Sequence, residues 1–146
     1  MKRIYLASSF STRVDGDGNV HPHYRQHMER IIEAMESAGY EIFCAIKYEG
    51  WKISTSRTPS ESVAKDLDQI DKSDIVLAVL HEDASRGVQY EMGYAAGLGK
   101  DVVAATEPGD KIAYFNEGLI KGGKIKHIVY SGADELISGL KKLYGQ

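Results

Sequence analysis

The chain has one cysteine, so no disulfide can form within it, and a small secreted scaffold held together by disulfides is excluded. Cys44 follows Glu41-Ile42-Phe43 and reads as a buried thiol on a core strand in a reducing compartment rather than as a nucleophile. A basic excess is also missing. Lys and Arg number 18 against 21 Asp and Glu, giving a formal charge of −3 and a pI near 5.9, so the basic stripe of a duplex binder is absent. Any nucleic-acid-like ligand is therefore expected to be small, not a polynucleotide. No apolar run approaches membrane-spanning length, and the short run in Met1-Lys2-Arg3-Ile4-Tyr5-Leu6-Ala7 is no signal peptide, so the protein is expected to be soluble and cytoplasmic. Internal repeats and low-complexity tracts are likewise lacking. What remains, 146 residues of which 42% are apolar, suffices for one core and one domain, 1–146.

Hydrophobic periodicity alternates between strand and helix. Arg3 to Ala7 reads as a first strand and Tyr24 to Ala38 as an amphipathic helix with Ile31, Ile32 and Met35 inward. Glu41 to Ala45 is a second strand after the break at Gly39. A polar connection, Ile46 to Pro59, leads to a helix with Val63, Leu67 and Ile70 inward, for which Ser60 or Ser62 is the capping candidate. Asp74 to Leu80 is an unbroken apolar strand, buried on both faces. A helix through Glu91, a strand Asp101 to Ala105, a strand Lys126 to Tyr130 and a helix Ala133 to Leu143 follow. This βα alternation predicts a single-domain α/β fold: a five-stranded, doubly wound parallel sheet of flavodoxin-like layout. Ser8 to His23, Ile46 to Pro59 and Glu107 to Gly123 are long connections for such a fold, and long connections commonly cover a site.

Two carboxylates break the pattern. In Val88-x-x-Glu91-Met92-x-x-Ala95 and Val63-x-x-Asp66-Leu67-x-x-Ile70 an acid lies within the apolar stripe of its helix, whereas Asp68 and Asp71 point to solvent. Glu91 also follows closely on the carboxyl end of a parallel strand, where open α/β sheets bind ligands. A Glu that merely favours the positive end of a helix dipole is the plainer reading. If the two acids converge, one can attack and the other can move a proton, which is what glycosidic cleavage requires.

Other motifs carry less. Gly93-Tyr94-Ala95-Ala96-Gly97-Leu98-Gly99-Lys100 resembles a phosphate loop but ends a helix and lacks the following Ser or Thr. Asp15-Gly16-Asp17-Gly18-Asn19 opens like a calcium loop, yet Val20 and Gln26 stand where Gly and Glu are needed. His21, His23 and His27 have no strong second ligand pair and read as solvated rather than zinc-binding. Trp51 is either core or a flat wall for a planar base.

Taken together, Ile4-Tyr5-Leu6-Ala7 with Phe10, Asp66 through Asp74, and Gly87 through Ala95 followed by Gly99-Lys100 resemble the nucleoside 2-deoxyribosyltransferase family and its nucleotide N-glycosidase branch. The resemblance implies that Glu91 attacks C1′ of the sugar, that Asp66 serves proton transfer at the base, and that Tyr5 orients the nucleophile. It further implies that Asn116 is supplied to a neighbouring subunit's site, hence a dimer or larger assembly. Neither cofactor nor metal is called for. The nucleoside transferases carry an Asp six residues before the nucleophile, where this chain has Ser85. With Arg86, Gly87 and the free N–H groups of the helix start, Ser85 would attract a phosphate that an Asp would repel. The resemblance also implies that Ser8 and Ser9, which replace small residues of the family's pocket, line the same end. The lead into Asp66 looks most like CMP and hydroxymethyl-CMP hydrolases.

The expected activity is hydrolysis of the N-glycosidic bond of a nucleoside 5′-monophosphate through a ribosyl-Glu91 ester. Base exchange between deoxynucleosides is the first alternative. A non-catalytic nucleotide-sensing module is the second. A phosphoacceptor domain would have to use Asp83, which comes late after its strand.

Overall fold

The computed structural model describes residues 1–9, 13–53, 57–81 and 85–145. Its elements run β1 (Arg3–Ser8), α1 (Pro22–Ser37), β2 (Glu41–Cys44), α2 (Ala45–Tyr48), α3 (Pro59–Asp71), β3 (Ile75–Val79), α4 (Arg86–Gly97), β4 (Asp101–Thr106), α5 (Tyr114–Lys121), β5 (Lys126–Val129) and α6 (Ala133–Tyr144). All four strand pairings are parallel and the sheet order is β2-β1-β3-β4-β5, the flavodoxin-like arrangement predicted from the alternation.

The period of two in each strand sorts side chains between two helical layers. Ile4, Leu6, Ile75, Leu77, Val103 and Ala105 pack with Met28, Ile31 and Met35 of α1 and with Leu136 and Leu140 of α6. The alternate positions, Tyr5, Ala7, Val76, Ala78, Val102 and Ala104, pack with Ile70 of α3 and with Val88, Met92 and Ala95 of α4. Tyr5 thus faces α3 and α4, which carry the two acids. On α1, Met28, Ile31, Ile32 and Met35 form one buried stripe, each worth about 2 kcal/mol in transfer from water. Gly39, at φ +96°, ends that helix where a side chain would be strained. At the opposite end of the chain, α6 packs so closely on β5 that a Cβ at Gly139 would come within 2.6 Å of Ile128.

Three expectations are corrected. The connection from Ile46 to Pro59 opens with helix α2, and the one from Glu107 to Gly123 contains α5. The cap of α3 is Thr58, not Ser60 or Ser62: Pro59 takes the first helical position, and the Thr58 hydroxyl accepts from the Glu61 amide at 3.2 Å. The calcium-like loop, already set aside on its Val20 and Gln26, is a turn closed on itself, with Asp15 Oδ1 accepting from the amides of Asp17 and Asn19 at 2.9 and 3.0 Å. Among the described residues no helix is long and apolar enough to cross a membrane.

Candidate active site

A cavity of about 600 Å³ lies beside the carboxyl end of β1, between α3 and α4. Carbon dominates its wall, from Leu6, Ala7, Ile46, Val63, Leu67 and Val88. Tyr5, Asp66 and Glu91 reach it from β1, α3 and α4, so the three residues singled out for catalysis share one space. The Tyr5 hydroxyl donates to Glu91 Oε2. That contact follows from the fold: β1 parity aims Tyr5 at α4, and the α4 stripe aims Glu91 at the sheet.

Burial sets the electrostatics. It lifts the Glu91 carboxyl to about 7, with Asp66 adding to the rise and the Tyr5 hydrogen bond opposing it. Burial likewise lifts Asp66 to about 6, aided by Glu49 and opposed by Arg57 and Lys65. Tyr5 itself is held far above the ordinary phenol range by burial and by Glu91, so it is a permanent donor at neutral pH. Near pH 6.5 the two acids together hold about one proton; Glu91 holds it the more tightly, so the form a nucleophile and acid pair needs, with Glu91 ionised and Asp66 protonated, is the minor one.

The other end of the cavity is the start of α4, lined by Ser8, Ser85, Arg86 and Gly87. Ser85 is the N-cap of α4, its hydroxyl oxygen accepting from the Val88 amide at 3.2 Å, and its own amide donates to Ser9 Oγ at 2.8 Å. Accepting in this way leaves the Ser85 hydroxyl proton available for an anion. Ser9 therefore supports the cap from behind instead of lining the cavity.

Two further expected site residues, Trp51 and Asn116, lie elsewhere. Phe10 is outside the described residues, as is Asp83. Trp51 is not a cavity wall: it is 7% exposed, in the α1-side core with Val20 and Ile46, and the Arg25 guanidinium lies 5.4 Å over its ring. The amide of Trp51 donates to the Ile46 carbonyl and its carbonyl accepts from Val20, which draws the ring inward. Asn116 is not presented outward but turned inward on α5, 2% exposed, its Nδ2 donating to Gln89 Oε1 of its own chain at 2.7 Å. A buried amide needs such a partner, and Gln89 faces it.

Sequence reasoning missed an aromatic column behind the site. Tyr5 and Phe43 stack at 5.7 Å, Phe43 and Tyr48 approach at 5.7 Å, and Arg57 and Lys65 lie over the Tyr48 ring. The register of β1 on β2, which pairs Tyr5 with Phe43, was the available signal. Tyr90, half turned into the cavity mouth, was also passed over.

No curated protein matches the chain. Among solved structures, a CMP N-glycosidase from Clostridium botulinum, BcmB, superposes with a TM-score of 0.67 at 22% identity, covering 98% of this chain and 99% of that one. The solution structure of BlsM superposes with a TM-score of 0.73 at 21% identity, covering 98% and 94%. A 2-deoxyribosyltransferase from Bacillus psychrosaccharolyticus gives a TM-score of 0.67 at 18% identity, covering 92% and 89%. At such identities these likenesses establish the fold. The family model described as nucleoside 2-deoxyribosyltransferase matches residues 4–127, most of the domain and every described site residue, so this chain belongs to the nucleoside 2-deoxyribosyltransferase family of enzymes.

Proposed function

We propose that the protein hydrolyses the N-glycosidic bond of a nucleoside 5′-monophosphate. The observation that carries this reading is the α4 N-terminus, capped by Ser85, opening into the cavity that holds Glu91. The first turn of a helix offers unpaired N–H groups and a positive dipole end, and Ser85, Ser8 and Arg86 add donors and charge suited to a phosphate. The Glu91 carboxylate attacks C1′, the C1′–N bond breaks, and Asp66 gives its proton to the departing base. Water then attacks C1′ of the ester, returning its proton to Asp66 and freeing Glu91 and a sugar 5-phosphate. Two displacements at one carbon retain the anomeric configuration. A purely binding module would gain little from burying two carboxylates.

Base exchange is the second reading, favoured by the fold shared with the Bacillus transferase. It uses the same residues, with a base replacing water. The assay is base release from CMP, dCMP and dUMP and from their nucleosides, with and without an added acceptor base. The expected result is preference for the monophosphate, reversed in Ser85→Asp, because a like charge beside a dianion costs roughly several kcal/mol when partly desolvated. Equal or better action on free deoxynucleosides, with transfer to the added base, would establish the transferase instead. The same preparation is expected to sediment as a dimer or larger. Tyr114 and Phe115, 94% and 70% exposed on α5, are the side chains offered to a second copy, not Asn116. A fully active monomer would remove that part of the proposal.

A further inference from the structure

The proposed reaction needs Asp66 to carry a proton to the base, and a role for the charges around Asp66 rests on that reading. Two cations act on Asp66, Arg57 and Lys65, and either one drawn to its carboxyl would hold it ionised. Both are occupied elsewhere. Arg57 Nη1 lies 3.3 Å from Glu49 Oε1, its Nη2 donates to the Tyr48 hydroxyl at 3.2 Å, and its guanidinium carbon sits 4.8 Å over the Tyr48 ring. Lys65 Nζ sits 4.8 Å over that same ring and 5.9 Å over Phe43. Glu49 closes α2 and Arg57 precedes α3, so this contact spans the connection leading into the Asp66 helix. The remaining charged or titratable groups that act with Asp66 are Glu49 at the end of α2, Glu91 on α4 and Tyr5 on β1.

We propose that Glu49 and Tyr48 are positioning residues that hold Arg57 and Lys65 on the Tyr48 ring and away from Asp66, so that Asp66 keeps the proton it gives to the leaving base. Cations rest well on a tyrosine face, and the Glu49 carboxylate pairs with the guanidinium held there. Glu49 acts twice: its own charge disfavours ionisation of Asp66, and its grip keeps Arg57 from compensating.

The test is the titration of Asp66 by carbon-13 carboxyl NMR in the free protein, its resonance assigned by its loss in Asp66→Asn. In Glu49→Gln the midpoint is expected to fall by about one pH unit, which lowers the protonated fraction at pH 7 about tenfold. kcat/KM at pH 7 should drop by the same factor, with the acidic limb of its pH profile moved down and the basic limb in place. In Arg57→Gln the midpoint should rise, and on that background Glu49→Gln should move it less than half as far, because there is no guanidinium left to release. An unmoved midpoint in Glu49→Gln, or an equal shift on both backgrounds, overturns the proposal. Should Glu49→Gln fail to fold, Tyr48→Leu carries the same test: a lowered midpoint supports the parking role and an unchanged one removes it. The titration uses no substrate, so it is separable from the assay. Absence of base release from every nucleotide would sink the proposed reaction, while the Asp66 midpoints still decide whether Glu49 and Tyr48 hold the cations off.

Discussion

Tyr5 and Glu91 form the contact on which the proposed chemistry turns, because the phenol supplies the hydrogen bond that favours ionised Glu91 against the pull of burial. Removing it has a definite sign. In Tyr5→Phe the Glu91 carboxyl should rise further above about 7; because Glu91 already holds its proton more tightly than Asp66, kcat/KM at pH 7 should fall and the basic limb of its profile should move to higher pH while the acidic limb stays in place. A pH profile of base release checks this, and a limb that does not move would leave Tyr5 a packing residue. At this scale the sequence was informative about Glu91 and Asp66, since the helical period sets each within the apolar stripe of its helix; Tyr5 was reached only through the family resemblance, and the meeting of the acids depends on packing. The same sequence was silent about Glu49 and Arg57. They sit at the two ends of a connection without period, and their meeting depends on how α2 and α3 pack.

Strands were the most legible elements, because β1, β3 and β4 are buried on both faces and their apolar runs have no other reading. Short helices were not. The four residues of α2 offer no period, and α5 spreads exposed Tyr114 and Phe115 beside buried Asn116, which blurs any stripe. Trp51 was ambiguous for a related reason: an aromatic residue in a polar loop reveals its side only when the loop is folded. That loop is tied to the β1–α1 connection by a bridge from Asn19 to Lys52 and by the Ile53 amide donating to the Gly18 carbonyl at 2.8 Å. Trp51 occupies φ +63°, a conformation that costs a non-glycine residue about 1 kcal/mol, and burial of its ring offsets the strain. Trp51→Ala should therefore lower unfolding free energy by about 3 kcal/mol in a urea titration. KM of the folded enzyme should stay within about twofold, a change worth less than 1 kcal/mol. A small loss of stability with a large rise in KM would return Trp51 to the ligand.

For the molecule as a whole, two buried acids make stability depend on pH in an unusual direction. The Glu91 carboxyl rises from 4.5 to about 7 and Asp66 from 3.8 to about 6, so the native state binds protons more tightly than the unfolded chain. Their contribution is fully present below pH 4 and is lost as pH climbs through about 7. Glu91→Gln, which cannot ionise, should exceed the wild type in unfolding free energy by about 3 kcal/mol at pH 8 and lose that advantage near pH 4.5. Denaturant titrations at the two pH values check it, and equal stabilities at pH 8 would mean that Glu91 is not strained by its site. The two partners of the proposed reaction also differ in how long their placement lasts. β1 is hydrogen-bonded to β2 on one edge and β3 on the other, so the backbone of Tyr5 can exchange its amide proton only when the centre of the sheet opens. The hydroxyl that aims Glu91 is anchored to the longest-lived part of the molecule. Asp66 stands on α3, whose exposed N-terminal turn can fray while the sheet stays intact, so the aim of the nucleophile should persist through many local openings that re-expose the acid to solvent.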